Sequence, residues 1–185
     1  MRRFAPLFAL LILCWVSWAA GEVLDRNLPG IIPRTREGLW GLLFAPFAHA
    51  GVDHLLSNSG PLLILGIAVA SRGAGTFYGV TASVMGVGGG LVWLFGRSAE
   101  HVGASGLVFG YFGWVLGRAW FERSFGSIAL ALVIGALYTS LIWGVLPTDS
   151  GISWEGHLFG ALAGLLSARV AKPNRLPMDE EAIER

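Results

Sequence analysis

The stretch "GASGLVFGYFGWVLGRAWF", residues 103–121, decides the fold. It is apolar over nearly the ~20 residues that an α-helix needs to cross ~30 Å of hydrocarbon. Gly106, Gly110, Gly113 and Gly117 recur at intervals of four, three and four. On a helix that spacing makes one unbroken small-residue face, against which a second backbone can lie closely. The partner is legible further on. Gly160 and Gly164 follow His157 by three and seven residues in "GHLFGALAG" (156–164), so they share that histidine's helix face. If the two stripes meet, Ser105 and His157 come to the mouth of one helix contact.

Working outward, six apolar segments of spanning length are read at 4–22, 54–71, 75–96, 104–121, 126–146 and 153–171. Composition agrees: 54% of the 185 residues are hydrophobic and 14% charged, about half the charged share of an average soluble domain. Mean hydropathy is +0.63. The 27 glycines are about twice the usual share, which suits helices packed backbone to backbone. A net charge of +1 gives no reason to expect nucleic acid. The lone cysteine, Cys14, has no partner for an intrachain disulfide. The expected fold is an all-α membrane bundle of six transmembrane helices over 1–171, with a short cytoplasmic tail at 172–185.

Most connections are short, but 23–53 is a long first loop. Its stretch "GLWGLLFAPFAHAG" (38–51) is too short and too interrupted by proline to span, and reads as helical pieces at the interface. Six spans put both termini on one side. That side carries Arg2, Arg3, Arg72, Arg118, Arg123, Arg169, Lys172, Arg175 and Arg185, against Arg26, Arg34, Arg36 and Arg97 on the other. The excess places the termini in the cytoplasm and the long loop outside. The N-terminal segment also resembles a secretory signal peptide, but its apolar run exceeds a typical h-region. It is read as a retained span.

Polar side chains inside spans are costly and tend to be functional. His54 and Asn58, in "HAGVDHLLSN" (49–58), stand four apart at the outer end of the second span and share a face. Asp53 is a candidate N-cap there. Ser105 opens the fourth span and His157 lies near the start of the sixth. Spans two, four and six run in the same direction, so their first turns reach one depth, just beneath the outer surface.

Serine becomes a useful nucleophile when a base within hydrogen-bond reach takes its proton, and histidine has the intrinsic pKa for that task. The backbone N–H of Ser105 at a helix N-terminus, with Asn58 and His54, offers donors for an oxyanion. Asp149 and Glu155 precede His157 but are not its helical neighbours at i−3 or i−4. The site reads as a Ser–His dyad.

"HAGVDHLLSN", "GASG" and "GHLFGALAG" resemble the three signatures of rhomboid intramembrane serine proteases, in the family's order and on the expected spans. The resemblance covers roughly residues 4–171. It implies that Ser105 is the nucleophile, that His157 is the general base, that His54, Asn58 and the Ser105 N–H form the oxyanion site, and that His49 organises the first loop. It further implies cleavage of membrane-anchored proteins within or near their transmembrane segment, with a preference for small side chains before the scissile bond. No metal or cofactor is implied, and the partners are transmembrane substrates and the lipid bilayer. A compact core of this kind suggests a bacterial plasma membrane. Two positions depart from the family pattern. Trp40 is followed by Gly41 where an arginine is common, and Phe109 stands where a tyrosine often underlies the histidine.

Other readings carry less. His49 and His54 are five apart, and no glutamate follows the first of them, so they do not make the helical HExxH metal pair. His101 reads as an interfacial residue. Gly86, Gly88, Gly89 and Gly90 read as packing or a local bend, and Trp15, Trp18, Trp40, Trp93 and Trp154 as interfacial anchors. The runner-up function is a rhomboid-like protein without activity that binds membrane clients. Such proteins typically lack the serine or the histidine. A transporter would show internal repeats and midplane polar residues, and neither is apparent. Hydrolysis needs water, so a cavity opening outward above Ser105, covered by 147–155, is expected.

Overall fold

The glycine stripes meet. In the computed structural model, which describes residues 2–147 and 151–170, the helices Ser105–Glu122 (α4) and Trp154–Val170 (α6) make the most extensive contact in the molecule. A Cβ on Gly160 would overlap the carbonyl oxygen of Gly106. One on Gly164 would overlap that of Gly110, and one on Gly113 that of Ala161. Only hydrogen fits at these three crossings, so the backbones themselves form the contact.

Among the described residues, four further long helices accompany this pair: Ala5–Leu24 (α1), Val52–Ala70 (α2), Ala74–Phe95 (α3) and Phe125–Leu137 (α5). No strand occurs among the described residues; one antiparallel bridge joins Ile31 to His101. α4 is the central helix. Leu107, Tyr111, Trp114 and Val115 on it are fully buried, and the Tyr111 hydroxyl is satisfied by Thr81 at 2.7 Å. α1 turns Leu7, Leu10 and Cys14 inward, while Phe8, Ile12, Leu13 and Val16 stay more than half exposed. α5 likewise exposes Leu132 and Val133. An apolar exterior of this extent suits lipid rather than water.

Among the described residues, three helices are long and apolar enough to cross a membrane: Arg2–Leu24, Val52–Ala70 and Ala74–Phe95. A fourth arises if Phe125–Leu137 is joined to the 3₁₀ segment Thr139–Val145. α4 and α6 have nearly the same length but are rich in glycine and carry Arg118, Glu122, Glu155 and His157. Their environment explains the composition. α4 is enclosed by protein, so its side chains need not be lipophilic.

Three local departures from the sequence pattern matter at the site. The segment expected as one span at 126–146 bends by 73° between Leu137 and Thr139. α3 contains a π-helical turn at Val84–Gly88, a device common at functional positions. It sets Val84 against Gly110, and a Cβ on Gly88 would sit 3.1 Å from the Phe159 carbonyl oxygen. α2 starts at Val52 with Gly51 as its cap. Asp53 therefore lies in the first turn, where a negative charge complements the helix dipole, and is not the N-cap. The tail 172–185 and Asp149 lie outside the described residues.

The first loop is tied down by backbone bonds. Ile31 and His101 exchange N–H···O bonds of 2.9 Å, the Gly30 N–H donates to Glu100 at 2.8 Å, and the Arg34 guanidinium donates to the Gly96 carbonyl at 2.8 Å. Trp93 Nε1 donates to the Thr35 carbonyl at 2.8 Å. Gly41 has a defined job in this loop: a Cβ there would collide with the Gly30–Ile31 backbone. The absence of an arginine at that position is thus what the loop's own packing requires.

Candidate active site

The site is built from helix beginnings. Ser105 is the first residue of α4, so its backbone N–H belongs to the first turn, which lacks intrahelical acceptors. The turn before it depends on Gly103, whose φ is +108°. A Cβ there would also stand 2.7 Å from His54 Nε2. His54 and Asn58 on α2 therefore lie directly on the chain two residues ahead of Ser105. The Asn58 side chain is buried, and its Nδ2 finds no hydrogen-bond acceptor among the described residues. Buried donors are rarely left so.

His157 is the fourth residue of α6. Its ring stacks on Phe109, with centroids 4.0 Å apart and planes inclined by 7°. Nδ1 donates to the Gly144 carbonyl at 2.8 Å. A carbonyl only accepts, so that bond puts the proton on Nδ1 and leaves the Nε2 lone pair free. The bend in α5 makes this possible. It delivers the Gly144 carbonyl to the ring, and Gly144 must be glycine because a Cβ would stand 2.7 Å from the Phe109 ring.

Ser105, His157, His54, Asn58 and Phe109 all line one cavity of about 570 Å³. The sequence-derived set is thus brought together, except for His49, which lies just behind it. His49 is buried and accepts the Ala104 N–H at 3.4 Å, bracing the turn that carries Ser105, and its ring meets His54 edge-on at 5.2 Å. Burial, and then repulsion from His54, push its pKa down to about 4, against a smaller opposing pull from the Phe47 carbonyl. His49 is therefore neutral near pH 7 and able to accept that bond.

Sequence reasoning missed a second tier. His101, read as interfacial, is buried and lines the same cavity. Its Nε2 donates to the Arg97 carbonyl at 3.2 Å, and its Nδ1 accepts the Ser153 hydroxyl at 2.6 Å. Burial lowers its pKa, which suits this neutral role. Ser153 Oγ in turn accepts the Gly156 N–H at 3.2 Å, capping α6 one turn before His157. Glu155, also buried, accepts the Arg97 N–H at 3.2 Å and pairs with the Arg97 guanidinium at 3.8 Å. The α3–α4 loop thus fixes the start of α6. Glu155 is engaged with Arg97 and does not contact the His157 ring nitrogen, which Gly144 holds. No local pattern marks these residues, because the contacts that tie the loop to α6, His101 with Ser153 and Arg97 with Glu155, each span more than fifty positions.

Comparison with known proteins adds an independent finding. A family model described as "Rhomboid domain" matches residues 36–173. The chain is 39% identical over 162 residues to an uncharacterized protein of Mycobacterium tuberculosis, covering 83% of this chain and 67% of that one. It is 34% identical over 131 residues to RHOMBOID-like protein 4 of Arabidopsis thaliana and 32% identical over 132 residues to RHOMBOID-like protein 1. These alignments each cover 69% of this chain, and about a third of the plant proteins.

Proposed function

Because this chain belongs to the rhomboid family and is an integral membrane protein, we propose that it is a serine endopeptidase that cleaves membrane-anchored proteins within or near their transmembrane segment. Ser105 is the nucleophile and His157 the general base. The observation that carries this reading is the histidine's setting: stacked on Phe109 and held at Nδ1 by Gly144, with no hydrogen-bond partner for Nε2 among the described residues, in the cavity that Ser105 lines.

The chemistry follows from those contacts. Ser105 Oγ attacks the scissile carbonyl carbon while His157 Nε2 takes the hydroxyl proton. The carbonyl π pair moves to oxygen, and the oxyanion receives hydrogen bonds from Asn58 Nδ2, His54 and the Ser105 N–H. A preorganised donor of this kind contributes about 100- to 1000-fold in rate in serine proteases. Collapse breaks the C–N bond, and His157 returns its proton to the leaving amine. Water entering the cavity then attacks the acyl-enzyme by the same route, with His157 again as base. The imidazolium formed in each half-reaction is stabilised by the Gly144 carbonyl, so a Ser–His dyad suffices.

In this reading the chain crosses the membrane six times as one domain over 1–171. Both termini and the tail 172–185 are cytoplasmic, and the cavity opens to the extracytoplasmic side. A substrate helix enters laterally and unwinds locally, with the segment 147–155 covering the site. Labelling of the purified, solubilised protein with a fluorophosphonate, followed by peptide mapping, tests the assignment. Modification at Ser105, lost in Ser105→Ala and His157→Ala, is the expected result. A folded protein that neither labels nor cleaves a transmembrane substrate would belong instead to the inactive, client-binding members.

A further inference from the structure

A second cavity, of about 680 Å³, lies at the opposite end of the bundle from Ser105, between the first half of α3 and the last turns of α4 and α6. Arg118, which lines it, is thirteen residues after Ser105 on one helix, or about 20 Å along the axis. The two cavities share no lining residue.

Two features give this groove a chemistry. The first is charge. Arg72 and Arg118 both line it, and both share a single carboxylate, Glu122: Arg72 pairs with it at 2.9 Å, and Arg118 pairs with the same oxygen one helical turn away. Among the described residues, two guanidiniums on one carboxylate leave one positive charge uncompensated. Arg118 is 5% exposed and lies over the Trp114 ring, so much of that charge sits where water cannot solvate it. A third guanidinium, Arg3, reaches the Ser71 carbonyl at the same end. The second feature is shape. Away from the arginines the groove is floored by Gly75 and Gly79, where an added Cβ would meet nothing within 4 Å. It is walled by Val87, Leu166 and Val170, all substantially exposed. In an integral membrane protein those walls face acyl chains. The groove is cationic at its end and apolar along its length, which is the inverse of an anionic amphiphile.

We propose that this groove binds one anionic phospholipid. The phosphate would lie against Arg72 and Arg118, and an acyl chain along Gly75 and Gly79. Buried charges in membranes are retained when something pairs them, and basic pockets between helices at a membrane's edge are suited to anionic head groups. The site is separate from the proteolytic reading and stands without it.

Native mass spectrometry of the full chain, released from detergent with added phosphatidylglycerol or phosphatidylcholine, tests this. One phosphatidylglycerol per chain should be retained at least about tenfold more tightly than phosphatidylcholine. Arg72→Gln should lower that preference about tenfold. Gly79→Leu, which fills the floor and leaves every charge in place, should weaken retention of phosphatidylglycerol as well. Thermal unfolding of both variants guards against misfolding, and Arg72 is exposed enough for its loss to be tolerated. Equal retention of the two lipids would overturn the proposal, as would variants that fold normally and bind unchanged. A change of oligomeric state in Gly79→Leu with lipid retention intact would assign it to a second copy and overturn it too.

Discussion

Gly164→Ala puts the helix-contact argument to its most direct test, because Gly164 lies seven residues from His157 and touches no reacting group. The added methyl would stand 2.6 Å from the Gly110 carbonyl carbon, against about 3.4 Å for an ordinary contact. α4 and α6 must therefore part by at least the difference, about 0.8 Å. Overpacking of this kind costs about 1–3 kcal/mol. The larger effect is on the site. Ser105 is carried by α4 and His157 by α6, so separation of the helices moves base from nucleophile, and a displacement near 1 Å costs about 100-fold in rate. The assay is the second-order rate of fluorophosphonate labelling at Ser105, measured beside the unfolding temperature. Gly90→Ala is the matched control, since a Cβ at Gly90 meets nothing within 4 Å. Labelling should fall by about 100-fold in Gly164→Ala and stay within about twofold of the parent in Gly90→Ala. If Gly164→Ala labels at the parent rate, the backbone contact does not set the serine–histidine geometry and the reasoning fails.

Asn58→Ala should slow cleavage of a transmembrane substrate by about 100- to 1000-fold. Its unfolding temperature should change little, because the Nδ2 donor has no partner to lose; a large drop in stability with activity retained would refute its oxyanion role. Glu155→Ala leaves Arg97 without its carboxylate, and because Arg97 is a third exposed the cost falls to about 1–3 kcal/mol, below that of a fully buried pair. It should also slow labelling at Ser105, by loosening the start of α6. Stability should depend on pH through His49, whose folded pKa of about 4 lies below its ordinary value of 6.5. The unfolded chain binds more protons between those values, so stability is full above pH 6.5 and is lost as pH falls toward 4, by about 3 kcal/mol in all. His49→Gln should flatten that acid limb in a plot of unfolding temperature against pH, and an unchanged limb would exclude His49 as its source.

The sequence alone determined whatever depends on periodicity and order. Apolar runs of spanning length announced a membrane bundle, and the 4, 3, 4 glycine spacing announced which two helices would meet. The order of the apolar segments led to the expectation that Ser105, His157, His54 and Asn58 share one level, and they line one cavity. These are one-dimensional properties, because a helix converts spacing into faces by a fixed rotation per residue. Tertiary structure alone decided what holds the site in place. The bend after Leu137 delivers the Gly144 carbonyl to His157, the bridge from Ile31 fixes His101, and Arg97 engages Glu155. Gly41, a departure from the family pattern on paper, is required by the Gly30–Ile31 backbone against it. Each of these contacts joins separate elements of the fold, and their chemistry, a carbonyl here and a backbone N–H there, is present at every residue. A bond to the main chain leaves no mark on side-chain identity, so the sequence could name the candidate site residues but not the scaffold that positions them.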